Sequence, residues 1–207
     1  MQVKFRLLFW VYGPGKSAPF TLILYLICME LIKKIHQARL KYKPDRVKYL
    51  LIAEAPPNSV ERFFYYEDVR EKDFLFLGVI EVLYPELKDR YMSEGRNAQL
   101  KTEILKQLKT DGFYLIDLSD EPVQKNIPFI EMTYFLPGLL AKLDQLVDEE
   151  TKIVIIKANV FEVVFPLVNA KYKGQVANVK VPFPSSGQQK NFRKIFSDVV
   201  NNTPRLG

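Results

Sequence analysis

Apolar and polar positions along this chain switch between a helical period of about 3.6 residues and short continuous apolar runs. Residues 29–43 place Leu31, Ile32 and Ile35 on the inner side of a lysine-rich helix, and Pro44-Asp45 ends it. Residues 47–53 are apolar except for Lys48, the pattern of a strand buried on both faces. An apolar helix follows at 74–84. Residues 97–110 form an amphipathic helix with Leu100, Ile104, Leu105 and Leu108 on one face, stopped by Asp111-Gly112. Further strands are expected at 113–118, 152–157 and 177–181. Further helices are expected at 129–146, broken or kinked at Pro137-Gly138, at 159–168, interrupted by Pro166, and at 188–200.

Strand and helix thus alternate four times with short connections. That predicts an α/β fold, a three-layer sandwich with a four-stranded, mostly parallel sheet between helices on both faces. A chain of 207 residues suits one such domain, read here as 29–207. Residues 1–28 are an N-terminal extension or a packed element. That stretch holds two apolar runs, Met1 to Trp10 and Phe20 to Met29, separated by Gly13-Pro14-Gly15-Lys16-Ser17. Neither run reaches the roughly 20 apolar residues of a membrane span, and no clean cleavage site marks a secretory signal. A membrane-associated anchor stays open as an alternative to a packed helix or strand. Gly15-Lys16-Ser17 lacks the glycine that a phosphate loop needs five residues before Gly15, where Trp10 stands.

Composition narrows the chemistry. Apolar residues make up 48% and charged residues 26%, an ordinary globular balance. One cysteine, Cys28, excludes a four-cysteine zinc or iron–sulfur site built from this chain alone. One histidine, His36, reads as a surface residue of a lysine-rich helix. No metal and no cofactor is expected, and scarce cysteine fits a cytoplasmic protein. The net charge of +6 is uneven: residues 171–207 carry seven bases and one acid, Asp198. Such a basic end attracts polyanions, nucleic acid above all.

In an open parallel sheet, ligands bind beyond the carboxyl ends of the strands. Four segments should meet there: 53–58, 117–122, 157–159 and 182–188. Glu54 ends a buried strand, where a carboxylate is costly unless it is paired or functional. Arg62-Phe63-Phe64-Tyr65-Tyr66 sets four consecutive aromatics beside a cation, a composition that suits base stacking or simple packing. Ser185, Ser186, Gly187 and Gln188 precede a helix carrying Lys190, Arg193 and Lys194, a candidate grip on phosphate.

Two short motifs in this order resemble those of the uracil-DNA glycosylase superfamily. Leu51-Ile52-Ala53-Glu54-Ala55-Pro56-Pro57 is similar to the family's first motif, in forms such as Gly-Glu-Ala-Pro-Gly. Phe183-Pro184-Ser185-Ser186 is similar to its second, in forms such as His-Pro-Ser-Pro. The resemblance spans roughly residues 45–200 and implies a DNA N-glycosylase acting on a flipped-out modified base. It implies Glu54 as the residue that positions or activates water, and Asp117 or Asn159 at the base edge. It further implies Phe63 or Phe64 as the stacking ring, and Ser185, Ser186, Gly187, Gln188, Lys190 and Arg193 on phosphate. DNA is the implied partner, and the chain is expected to act as a monomer. The departures are specific. Phe183 stands where the family's second motif has a histidine, Asp117 where an asparagine reads uracil, and the cluster-binding cysteines of the Gly-Glu-Ala-Pro-Gly branch are missing. The alternative is therefore a catalytically inactive member that binds nucleic acid or a nucleotide-like ligand. A Glu54 held in a structural salt bridge would favour that alternative, and a Glu54 lining an open pocket would favour catalysis.

Overall fold

A computed structural model describes the backbone of residues 18–69, 73–122, 126–185 and 187–201, and side chains from residue 26 onward. Helix α1 (Ala18–Lys41) begins well ahead of the expected start at residue 29 and runs through the expected boundary at 28 without a break. Next come β1 (Tyr49–Ala53), a 3-10 turn (Val60–Arg62), α2 (Phe74–Leu83), α3 (Pro85–Ser93) and α4 (Ala98–Thr110). The second half holds β2 (Phe113–Asp117), α5 (Phe129–Met132), a 3-10 turn (Thr133–Phe135) and α6 (Leu136–Leu146). It closes with β3 (Lys152–Ile155), α7 (Ala158–Lys171) and α8 (Gln189–Asn201).

The sheet is parallel, with order β2-β1-β3. Tyr49 to Ala53 pair with Phe113 to Asp117 on one side, and Tyr49 to Ile52 with Lys152 to Ile155 on the other. Successive residues of β1 from Leu50 to Ala53 are all buried, so both faces of the sheet are covered. The expected α/β class and parallel sheet hold. The expected fourth strand at 177–181 does not form as a strand. Two isolated bridges take its place, Val176 with Ile153 of β3 and Val181 with Ile156 just past β3. Three steps along β3 face five along the edge segment, so two residues must bulge out and no continuous ladder can close.

Local chemistry explains most element ends. Asn97 caps α4, its Oδ1 accepting from the amides of Gln99 (2.9 Å) and Leu100 (3.0 Å). Gly112 follows α4 at φ +81, and a Cβ there would lie 2.8 Å from Lys48 Cγ. Its carbonyl accepts from the amides of Lys48 and Tyr49, so this glycine sets the start of β1 as well as the turn into β2. The break in the 129–146 region falls at Thr133–Phe135, ahead of Pro137, which sits in the first turn of α6 where proline is tolerated. Pro166 lies inside α7 without interrupting it.

The free edge of β2 is shielded by a side chain. The Tyr65 hydroxyl accepts from the Leu115 amide (2.6 Å) and donates to the Leu115 carbonyl (3.3 Å), doing what a neighbouring strand would do. A buried ion pair ties α2 to α4. Lys101 Nζ, fully buried, donates to Asp73 Oδ2 at 2.6 Å and lies 4.2 Å from the Phe76 ring centre. Arg96 reaches the other Asp73 oxygen at 3.1 Å.

Burial brings the Lys101 ammonium down to about 8, against the upward pull of Asp73. The folded state therefore releases this proton first, while an unfolded lysine keeps it to about 10.4. Between those limits the unfolded state binds more protons, so stability rises with pH, by at most about 1.4 kcal/mol per pH unit. The rise is confined to the lower part of that window, up to about pH 9, because unfolded tyrosines begin to ionise there while burial holds Tyr65, Tyr84, Tyr91 and Tyr114 protonated and turns the trend downward. Urea unfolding between about pH 7.5 and 9 should show the rise, and Lys101→Met should flatten it.

Candidate functional site

The carboxyl ends of β1, β2 and β3 open on one rim, and each delivers a charged residue. After β1, Glu54 begins the loop and is only 9% exposed. After β3, Ile156 donates to the Ile52 carbonyl (2.8 Å) and Lys157 to the Val181 carbonyl (2.7 Å), carrying the chain up to α7. The two side chains meet: Lys157 Nζ donates to Glu54 Oε2 in an ion pair. The other Glu54 oxygen accepts from the amide of Ile127 at 2.7 Å. Lys157 Nζ also donates to Asn126 Oδ1 at 2.9 Å. Both carboxylate oxygens are thus engaged, and the loop after β2 is stitched to the ends of β1 and β3.

Lys157 holds an unusual backbone, with φ 84 and ψ 126. A non-glycine residue in this region costs about 1–3 kcal/mol and persists only when its surroundings over-determine it. Here they do. Its amide goes to Val181, its carbonyl accepts from the Phe161 amide (3.0 Å), and its ammonium is pinned by Glu54 and Asn126.

Asp117 ends β2 and is buried. Arg39 of α1 donates to its Oδ2 at 2.5 Å and to Asp120 Oδ1 at 3.1 Å. Lys142 of α6 donates to the Asp117 carbonyl (2.6 Å) and to Asp120 Oδ1 (3.0 Å). Burial raises the Asp117 carboxyl, opposed by the Arg39 and Lys142 charges. The Asp117 carboxylate ties α1 to the sheet, and its backbone carbonyl together with Asp120 ties α6, so its expected place at a base edge is corrected to a buried anchor.

The aromatic run is corrected in the same way. Phe63 and Phe64 are buried, edge-on to Tyr65 at 5.8 and 4.9 Å, and Phe64 meets Phe76 at 5.5 Å. With their faces packed in the core they offer no stacking surface. Asn159, in the first turn of α7, accepts from the Val160 amide through its own Oδ1 (3.0 Å).

The phosphate-grip segment stays at the surface. Phe183 packs against the core, half-buried. Ser185 accepts from the Gln188 amide (3.0 Å), Gly187 turns the chain at φ +82, and Gln188 accepts from the Phe192 amide (2.8 Å) as α8 begins. Ser186 lies outside the described residues. The Gln188 side chain accepts from Asn191 (3.0 Å). Lys190 and Lys194 are exposed, while Arg193 is paired with Glu81 of α2. Gly78 makes room for this segment. A Cβ there would lie 3.0 Å from the Pro184 side chain and 3.1 Å from Phe192. Cys28 is half-buried, burial raising its thiol, and His36 is exposed as expected. Gly15, Lys16 and Ser17 fall outside the described residues.

Sequence reasoning did not single out Lys157, Asn126, Arg39 and Lys142. A lysine closing one buried strand and an acid closing another gave a usable hint of the Glu54–Lys157 pair. Nothing local marked Arg39, which lies 78 residues from Asp117. A cavity of about 280 Å³ lies elsewhere, between the start of β3, residues 174–179 and the last turn of α8. No group of histidine, cysteine and acid side chains among the described residues could hold a metal ion. The chain matches no known family, no curated protein and no solved structure.

Removing one partner of a buried pair leaves the other charge uncompensated. Lys157→Met should destabilise the fold by about 3 kcal/mol in urea unfolding, moderated because the Lys157 side chain keeps 22% exposure. Adding Glu54→Gln should recover part of that loss. Strictly additive costs would show that the two side chains are not coupled.

Proposed function

We propose that this chain is a non-hydrolytic nucleic-acid-binding protein built on a uracil-DNA glycosylase-like α/β plan. The observation that carries the reading is the state of Glu54. A carboxylate that positions or activates water needs a free oxygen facing the cleft. Both oxygens of Glu54 are taken, one by the Lys157 ammonium and one by the Ile127 amide. The other expected catalytic parts are also missing. Asp117 is buried under Arg39, and Phe183 cannot donate a hydrogen bond to a departing base.

The exposed charges of the expected phosphate-binding segment are cationic. Lys190 and Lys194 lie on the solvent side of α8, while Phe192 and Phe196 on its other side are fully buried. The turn at Ser185–Gln188 leads straight into that helix. Lysines beside a helix start recognise phosphate without reading sequence. The reading is therefore of backbone binding, salt-sensitive and tolerant of base identity.

One observation favours a second reading, a divergent glycosylase. Backbone strain gathers at functional sites, and Lys157 is strained at the end of β3 beside Glu54. In that reading, bound DNA displaces Lys157 and frees Glu54 to direct water onto the sugar carbon as the base leaves.

Fluorescence anisotropy with labelled single- and double-stranded DNA tests the proposal. Affinity should fall steeply with salt, by a log–log slope of about −0.9 per phosphate neutralised on duplex. Lys190→Glu with Lys194→Glu should flatten that slope, and Glu54→Gln should leave it unchanged. No abasic product should form on uracil-, hypoxanthine- or xanthine-containing strands. An abasic product lost in Glu54→Gln would establish the glycosylase instead, and no binding at low salt would end both readings.

A further inference from the structure

We infer that the amino-terminal half of α1 is a membrane-surface anchor that docks on anionic phospholipid. The inference is independent of the nucleic-acid reading and rests on a different part of the chain. Residues Phe20 to Met29 are apolar except for Thr21, and all lie on one continuous helix. Among those whose side chains are described, Cys28 and Met29 are only half-covered by the domain, and the two before them are bare. Leu26 and Ile27 are each 58% exposed, and the first buried residue of α1 among the described side chains is Ile35. Neighbouring helix positions point about 100° apart, so two adjacent exposed residues mean an apolar surface wider than a single stripe. Isolated exposed leucines are ordinary, but a ten-residue apolar helical run ahead of the core contacts is not.

Charge selects the occupant. Lys4, Arg6 and Lys16 precede the run, and no acid occurs before Glu30. Lys33 and Lys34 follow it within a turn and are both exposed. A second copy of the chain would bring these cations together in either orientation of the paired helices. An anionic headgroup layer complements them at both ends, with the apolar run between them below the headgroups. Length selects the mode of contact. Ten residues of helix rise about 15 Å, half of a hydrocarbon core of about 30 Å. No helix among the described residues is long and apolar enough to cross a membrane. Lys33 and Lys34, exposed just past the run, return to the headgroups when the helix lies along the surface.

The test is flotation of the full chain with vesicles of phosphatidylcholine alone and of phosphatidylcholine mixed with phosphatidylglycerol. The protein should float with the mixed vesicles, several-fold less with the neutral ones, and should be released by alkaline carbonate. Leu26→Glu with Ile27→Glu should abolish flotation. Lys33→Glu with Lys34→Glu should erase only the preference for anionic vesicles. All four positions are exposed or half-covered at most, so thermal melts should match the parent. If the glutamate pair fails to fold, Leu26→Ser with Ile27→Ser reads the same loss. Three results overturn the inference: no flotation on either vesicle, flotation that survives both apolar substitutions, or retention after carbonate. A vesicle-free oligomer that the Leu26 and Ile27 substitutions dissociate also overturns it, in favour of a second copy.

Discussion

Strand β1 has a neighbour on each edge and cover on each face, and this complete burial governs what its last residue can be. The chain leaves the strand at Glu54 while still surrounded by protein. A carboxylate placed there must find partners or be neutralised, because an unpaired charge in that position costs several kcal/mol. Lys157 and the Ile127 amide meet the demand. In doing so they join the loops after β1, β2 and β3 into one structure. The strained backbone of Lys157 follows from the same need, since its amide must reach Val181 while its ammonium reaches Glu54.

The second charged strand end obeys the same rule with different consequences. Asp117 closes β2 and recruits Arg39 from α1 and Lys142 from α6. Through that pair, a helix from the amino-terminal part of the chain is held to the sheet. The Arg39 guanidinium lies 5.8 Å from the Phe63 ring, so the aromatic run and the acidic cluster form one buried assembly. The rim that looks catalytic in sequence is therefore made of carboxylates spent on architecture. Exposed instead are the lysine side of α8 and, on α1, Leu26 and Ile27.

Most of the secondary structure was legible because the periodicities are strong and the punctuation is local. The helix stop at Asp111-Gly112, the Asn97 cap and the three paired strands all rest on neighbouring residues. Errors arose where a distant partner decided the outcome. The 177–181 segment has strand-like composition, but its spacing against β3 leaves two residues over and breaks the ladder. Phe63 and Phe64 have the composition of a stacking platform, but the bare edge of β2 draws Tyr65 inward and the flanking rings go with it.

By itself, the sequence determined the α/β class, the parallel sheet, a basic carboxyl-terminal helix and an apolar amino-terminal stretch, because each is written in residue types at short spacing. It also singled out Glu54, at the end of a buried strand, as an acid that is either paired, functional or exposed in the loop. Only the tertiary structure decided which partner. Lys157 lies 103 residues from Glu54, and Arg39 lies 78 from Asp117. Such pairings depend on which strand ends the sheet order brings side by side, and no local pattern encodes that.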